Sequence, residues 1–150
     1  MRNIFEIETT KEIIDRINQL TSTSKNVWGK MSVSQMLAHC NVVYEMTYTD
    51  KHPKPNSFKK LMFKLFVKKI VVGEKPYAKN GRTAPEFLIT SKKEFEKEKK
   101  QLITYLTKTQ KLGEAYFDNK ESHSFGRLTK KEWNVMFYKH INHHLNQFGV

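Results

Sequence analysis

The sequence predicts an all-α fold, an antiparallel four-helix bundle with one extra helix in its long crossover, and three observations carry that reading. Four segments begin with a Ser or Thr followed three residues later by Glu or Gln, a pattern that satisfies the first free N–H groups of a helix. Each leads into apolar residues at helical rather than alternating spacing. Gly and Pro gather between the second and third segments, and Gly again between the third and fourth, which leaves little room for strands.

In the first helix Thr9 and Glu12 form the starting pair, and Ile13, Ile14, Ile17 and Leu20 mark one face. In the second, Ser32 and Gln35 start a helix whose apolar side carries Val33, Met36, Leu37, Cys40, Tyr44 and Thr47. Pro53 and Pro55 open the crossover, which should hold a helix over roughly 58–72. Gly73, Pro76 and Gly81 then break the chain, and a β-prone Phe87-Leu88-Ile89 stretch follows Pro85. The third long helix is expected from the Ser91 and Glu94 pair, with Phe95, Leu102, Tyr105 and Leu106 inward, ending in a loop from about Gly113 to Gly126. The fourth starts at Thr129 and Glu132 and carries an apolar stripe from Trp133 to Phe148.

The 150 residues suit a single domain, 1–150. One cysteine, Cys40, excludes a disulfide-stapled scaffold and points to a reducing, cytoplasmic setting. The N-terminal MRNIFEIETT lacks the apolar run of a signal peptide, and Lys59, Lys60, Lys64, Lys68 and Lys69 interrupt the longest apolar-looking stretch, so no membrane span is expected. Lys and Arg number 27 against 15 Asp and Glu, a net charge of +12 that attracts polyanions without naming one. Basic and acidic residues mix in KKEFEKEKK (92–100), the pattern of solvated helix faces, and nucleic acid is not an expected partner.

Segment 58–72 has two readings. Lys60, Lys64 and Lys68 fall together on a helical wheel, with Phe58, Leu61, Met62 and Leu65 towards the other side, as in helices that lie on anionic membranes. Lys59 and Lys69 intrude on the apolar arc, however, and Val67 and Val71 on the basic one. The expectation is therefore a helix packed on the bundle with solvated lysines, and not a membrane-surface partner.

Chemistry concentrates in the last helix. With Trp133 as the zero of the wheel, Met136, Phe137, His140, His144, Gln147 and Phe148 lie within about 60°, and His143 about 80° away. Two imidazoles inside an apolar stripe are costly, since each buried ring N–H left unpaired loses ~1–3 kcal/mol. A metal ion removes the difficulty, because i,i+4 histidines point the same way and neutral imidazole ligates Zn, Ni, Cu and Fe. His39, beside Met36 and Val43 at the edge of the second helix's apolar face, is the candidate third ligand. Three protein ligands leave a position open, as in catalytic sites. The competing reading is a set of hydrogen-bonded core histidines.

The string KHINHHLNQFG, with His140, His143, His144 and Gln147, resembles the last-helix signature of the DinB/YfiT-like superfamily, and SVSQMLAHC, ending in His39 and Cys40, resembles its second-helix motif. With SHSFGRLTKKEW before the last helix, the pattern is closest to a bacterial branch of undefined function, over about Trp28 to Gly149. The resemblance implies a four-helix bundle, often a homodimer, with one divalent metal on His39, His140 and His144 and with His143 outside the ligand set. Members of the superfamily include thiol-dependent transferases and isomerases, and others are described only as hydrolases.

The leading expectation is thus a metal-dependent transferase holding Zn or Ni and acting on a small-molecule substrate with a low-molecular-weight thiol. A metal-dependent hydrolase and a non-catalytic binding or stress-related domain are the alternatives. Gln147 and His143 are candidates to orient a ligand or substrate, and His123 either lines the pocket mouth or is an exposed loop histidine. Glu45, in the second helix but off its apolar centre, is a candidate proton acceptor, with a surface role preferred. Cys40 is expected to be a buried, inert thiol.

Overall fold

The computed structural model describes residues 1–150 and is all-α apart from one short hairpin. Four long helices form the bundle: α1 (Ile7–Asn18), α2 (Val33–Tyr48), α5 (Phe95–Phe117) and α6 (Lys130–Gln147). The crossover between α2 and α5 holds α3 (Ser57–Met62), a π-helical turn (Phe63–Val67) and α4 (Lys68–Val72), together one helical rod over the segment expected to be helical.

Two of the four starting pairs act as read. Ser32 with Gln35 and Thr129 with Glu132 form reciprocal capping boxes at the starts of α2 and α6. The other two are not used. α1 starts before Thr9, because Asn3 accepts hydrogen bonds from the Phe5 and Glu6 amides and turns the chain so that Ile4 and Phe5 are buried. Thr10 Oγ1 then donates to the Ile4 carbonyl at 2.7 Å, and burying two apolar side chains outweighs a local hydroxyl cap. α5 starts after Ser91, with Glu94 at its cap position and no side-chain cap, because the buried ring of Phe95 anchors its first turn.

α5 also runs beyond its expected end. Gly113 takes φ 71° and ψ 168°, a conformation that favours glycine, and the helix resumes to deliver Phe117 to the core. Strand structure falls at Lys120–Ser122 (β1) and Gly126–Leu128 (β2), an antiparallel hairpin pairing Glu121 with Arg127. It does not fall at 87–89, where Pro85–Phe87 is a single 3-10 turn, since that stretch has no neighbouring edge to pair with.

Side-chain pairs fix the helix directions. Asn41 bonds Glu98, and Tyr48 further along α2 bonds Thr109 further along α5, so these helices run parallel, as the long crossover permits. Tyr44 stacks on Phe137 at 5.0 Å while His39, earlier in α2, meets His140, later in α6, so these two are antiparallel. Arg16, near the end of α1, donates to Asn142, Asn146 and the Val150 carbonyl, tying α1 to the end of α6. The core between them carries Trp133, Tyr44, Phe117, Phe137, Met36 and Leu106, all essentially inaccessible to water.

Candidate metal centre

The apolar stripe of α6 that carries Trp133, Phe137 and Ile141 into the core also carries His140 and His144, one turn apart at its C-terminal end. The capping box at Ser32 sets where α2 begins and places His39 opposite them. One ring nitrogen from each of His39, His140 and His144 lies within 4.8 Å of the others. His39 and His144 are buried and His140 is partly open to solvent. His39 Nε2 and His140 Nε2 are 2.9 Å apart.

Protonation of two rings follows from their outer partners. His39 Nδ1 is 2.9 Å from the Phe87 carbonyl, which only accepts, so Nδ1 carries the hydrogen and Nε2 turns a lone pair inward. Gln147 Nε2 donates to the Trp28 carbonyl at 2.9 Å, which leaves Gln147 Oε1 to accept from His144 Nδ1 at 2.8 Å. His144 Nε2 therefore also carries a lone pair. Neutral imidazoles with their outer N–H donated to a carbonyl or amide oxygen are the usual form of metal-ligating histidine.

The electrostatics hold the rings neutral. Burial lowers the His39 pKa, with the Phe87 carbonyl partly opposing it, and lowers His144 to about 3, helped by neighbouring His39. His140 is driven well below the ordinary histidine value by loss of solvent and then by His144, His39 and His143. A tetrahedral zinc ion with Zn–N bonds of ~2.0–2.1 Å separates its ligand nitrogens by about 3.3 Å. The separations present, from 2.9 Å up to 4.8 Å, bracket that value, so the residues fit a divalent ion with small side-chain rotations.

His143 lies outside this group. Its ring packs edge-on against Trp28 and Tyr77 at 5.9 and 5.6 Å and against His144 at 5.1 Å, forming a wall beside the cluster. Gln147 is buried and braces His144, as described. The structure does not bring His123 to the cluster. It sits in the hairpin turn, bonded to Ser124 Oγ and 3.2 Å from the His52 carbonyl, beside residues 46–50 at the opposite end of α2 from His39. The α5–α6 connection emerges at that far end because α5 runs parallel to α2.

Glu45 is likewise committed elsewhere. Burial alone would raise its pKa, but bonds from Lys51 at 2.6 Å and His52 at 2.7 Å hold it below the usual carboxylate value. Cys40 points into the core towards Met36 Sδ at 3.7 Å, and burial pushes its thiol pKa up, which makes it unreactive.

Three contributors to the site had no signal in the helical pattern. The Phe87 carbonyl and ring come from the crossover, the latter 5.4 Å from His39 and 5.9 Å from His140. The Trp28 carbonyl comes from the α1–α2 connection. Gly29, at φ +87°, allows the close approach, since a Cβ there would lie 2.3 Å from Gln147 Nε2.

No curated protein and no solved structure matches this chain. A family model described as "Protein of unknown function (DUF1569)" matches residues 2–149. An all-α chain matched from end to end in this way, with a three-histidine group able to hold a metal ion where two of its helices meet, belongs to the DUF1569 family.

Proposed function

We propose that this protein is a metal-dependent enzyme of the DinB-like type, with one divalent ion, zinc or nickel, on His39, His140 and His144, transferring a group to or from a low-molecular-weight thiol. The observation that carries the metal reading is the convergence of one ring nitrogen from each of His39, His140 and His144, with the tautomers of His39 and His144 fixed by the Phe87 carbonyl and by Gln147. A divalent ion on three neutral imidazoles with a free position supplies, when bound, the Lewis acidity that makes a thiol or a water nucleophilic at neutral pH.

The chain's own residues do the rest. Gln147 holds the His144 proton on Nδ1, and Phe87 covers one side of His39 and His140. His140, the only one of the three histidines that is partly exposed, is the side from which an incoming molecule would reach the cluster. No Asp or Glu belongs to the cluster, and Glu45 is tied to Lys51 and His52, so a hydrolase would lack a nearby proton acceptor. A thiol, with a pKa of ~8.5 against ~15.7 for water, gives up its proton to solvent far more readily, which favours the thiol reading.

One observation favours a second, non-catalytic reading. His140 Nε2 can donate directly to His39 Nε2 at 2.9 Å, satisfying both rings as a hydrogen-bonded core. Elemental analysis of protein purified without an affinity tag decides between them. The metal reading expects about one ion per chain, lost in His140→Ala, and equal metal content in the two proteins overturns it. With metal present, consumption of an electrophile that depends on added thiol supports transfer, and metal-dependent hydrolysis without thiol replaces it by the hydrolase.

A further inference from the structure

The rod over residues 57–72 docks on the body through its polar side. Lys60 pairs with Glu121 and Lys68 with Glu132, and the buried Lys139 donates to the carbonyls of Ile70, Gly73 and Lys75 at the rod's end. Of its apolar residues, Phe63, Val67, Val71 and Val72 are half-buried, Val71 and Val72 against the core of the body. Phe58, Leu61, Leu65, Phe66 and Ile70 point outward, each more than half exposed. The expectation of an apolar face packed inward with its lysines in solvent thus holds only for Val71 and Val72 at the rod's end. Glu121 and Glu132 draw Lys60 and Lys68 inward, and the π turn at 63–67 shifts the wheel within the rod.

Five large apolar side chains along one short rod exceed the scattered surface hydrophobics of an ordinary soluble domain. The charges around them discriminate between occupants. Lys59, Lys64 and Lys69 are also exposed along the rod, Lys59 bonded to Glu86, and the chain as a whole carries +12. A second copy placed there would bring these lysines against their own equivalents. An anionic lipid surface accepts both parts, with the rings and Leu65 entering the acyl boundary while the lysine stems extend to the headgroups. No helix is long and apolar enough to cross a membrane, so the contact would be peripheral. We propose that the outer face of the 57–72 rod is a docking surface for anionic membranes.

The test is co-sedimentation of the full chain with vesicles of phosphatidylcholine alone and of phosphatidylcholine containing one third phosphatidylglycerol. Binding is expected only to the anionic vesicles and should weaken as salt rises. The double variants Leu65→Glu/Phe66→Glu and Lys64→Glu/Lys69→Glu, all at exposed positions, should each lose about tenfold or more in affinity, with helicity by circular dichroism unchanged. Equal binding to both vesicles, or binding to neither, overturns the proposal. So does anionic-vesicle binding that survives Leu65→Glu/Phe66→Glu, or a DNA duplex that binds the wild type equally well. A wild-type dimer converted to monomer by Leu65→Glu/Phe66→Glu identifies a second copy as the occupant and also overturns it.

Discussion

At the residue scale, the candidate metal centre depends on groups outside the three histidines. Gln147 sets the tautomer of His144, and Gly29 leaves room for Gln147 to reach the Trp28 carbonyl. Gln147→Ala is expected to weaken metal affinity about 10–100-fold, measured by competition with a chromophoric chelator, while far-ultraviolet circular dichroism stays the same. Gly29→Ala should do the same by displacing Gln147, and should cost about 1–2 kcal/mol in urea unfolding because φ +87° strains any residue with a Cβ. Tyr44 offers a contrast. Its hydroxyl is buried without a partner, so Tyr44→Phe keeps the ring stacked on Phe137 and should raise stability by about 1 kcal/mol.

The histidines also set a pH dependence. In metal-free protein their folded pKa values lie below the ordinary 6.5, with His144 at about 3, so the unfolded chain binds more protons than the folded one in that window. Stability should therefore be unaffected by these groups above about pH 6.5 and fall as pH drops from there towards about 3. Urea midpoints measured across that range on protein treated with chelator check the sign, and a midpoint that rises on acidification contradicts it.

At the scale of elements, ends and crossings explain more than propensity. The starts of α2 and α6 are written in adjacent residues, because a capping box needs only its own turn. The starts of α1 and α5 are not, since burial of Ile4, Phe5 and Phe95 moves them against the local signal. Besides its ion pairs, the crossover rod is held at its end by one buried side chain from α6. Lys139 supplies hydrogen bonds to three carbonyls near its end, while its burial lowers its pKa to about 8. Lys139→Met removes those donors and should cost about 1–3 kcal/mol, with faster amide exchange or proteolysis confined first to residues 57–75. Exchange that quickens equally in α2 and α5 would show instead that the whole bundle is loosened.

At the scale of the molecule, the site joins the N-terminal part of α2 to the C-terminal end of α6, two segments about a hundred residues apart that also close the bundle. A ligand bound there favours the folded chain. With free metal at 100 times its dissociation constant the gain is about 2.7 kcal/mol, or roughly 5–10 °C in the thermal midpoint of a chain this size. Thermal scans with zinc or nickel should show that rise in the wild type, reversal by chelator and little change in His140→Ala.

The histidines, the helical stripes and the divided charge of the 57–72 rod are all periodic features, and a period is a local property that each segment carries alone. His140 and His144 share a face because four residues make about one turn, whatever surrounds them. Helix pairing, by contrast, is a matter of which buried surfaces meet over long separations in the chain. Only the folded chain turns His39 towards that pair, sends His123 to the far end of α2, supplies the Phe87 and Trp28 carbonyls, and draws Lys60 and Lys68 onto Glu121 and Glu132 so that the rod's apolar arc faces out.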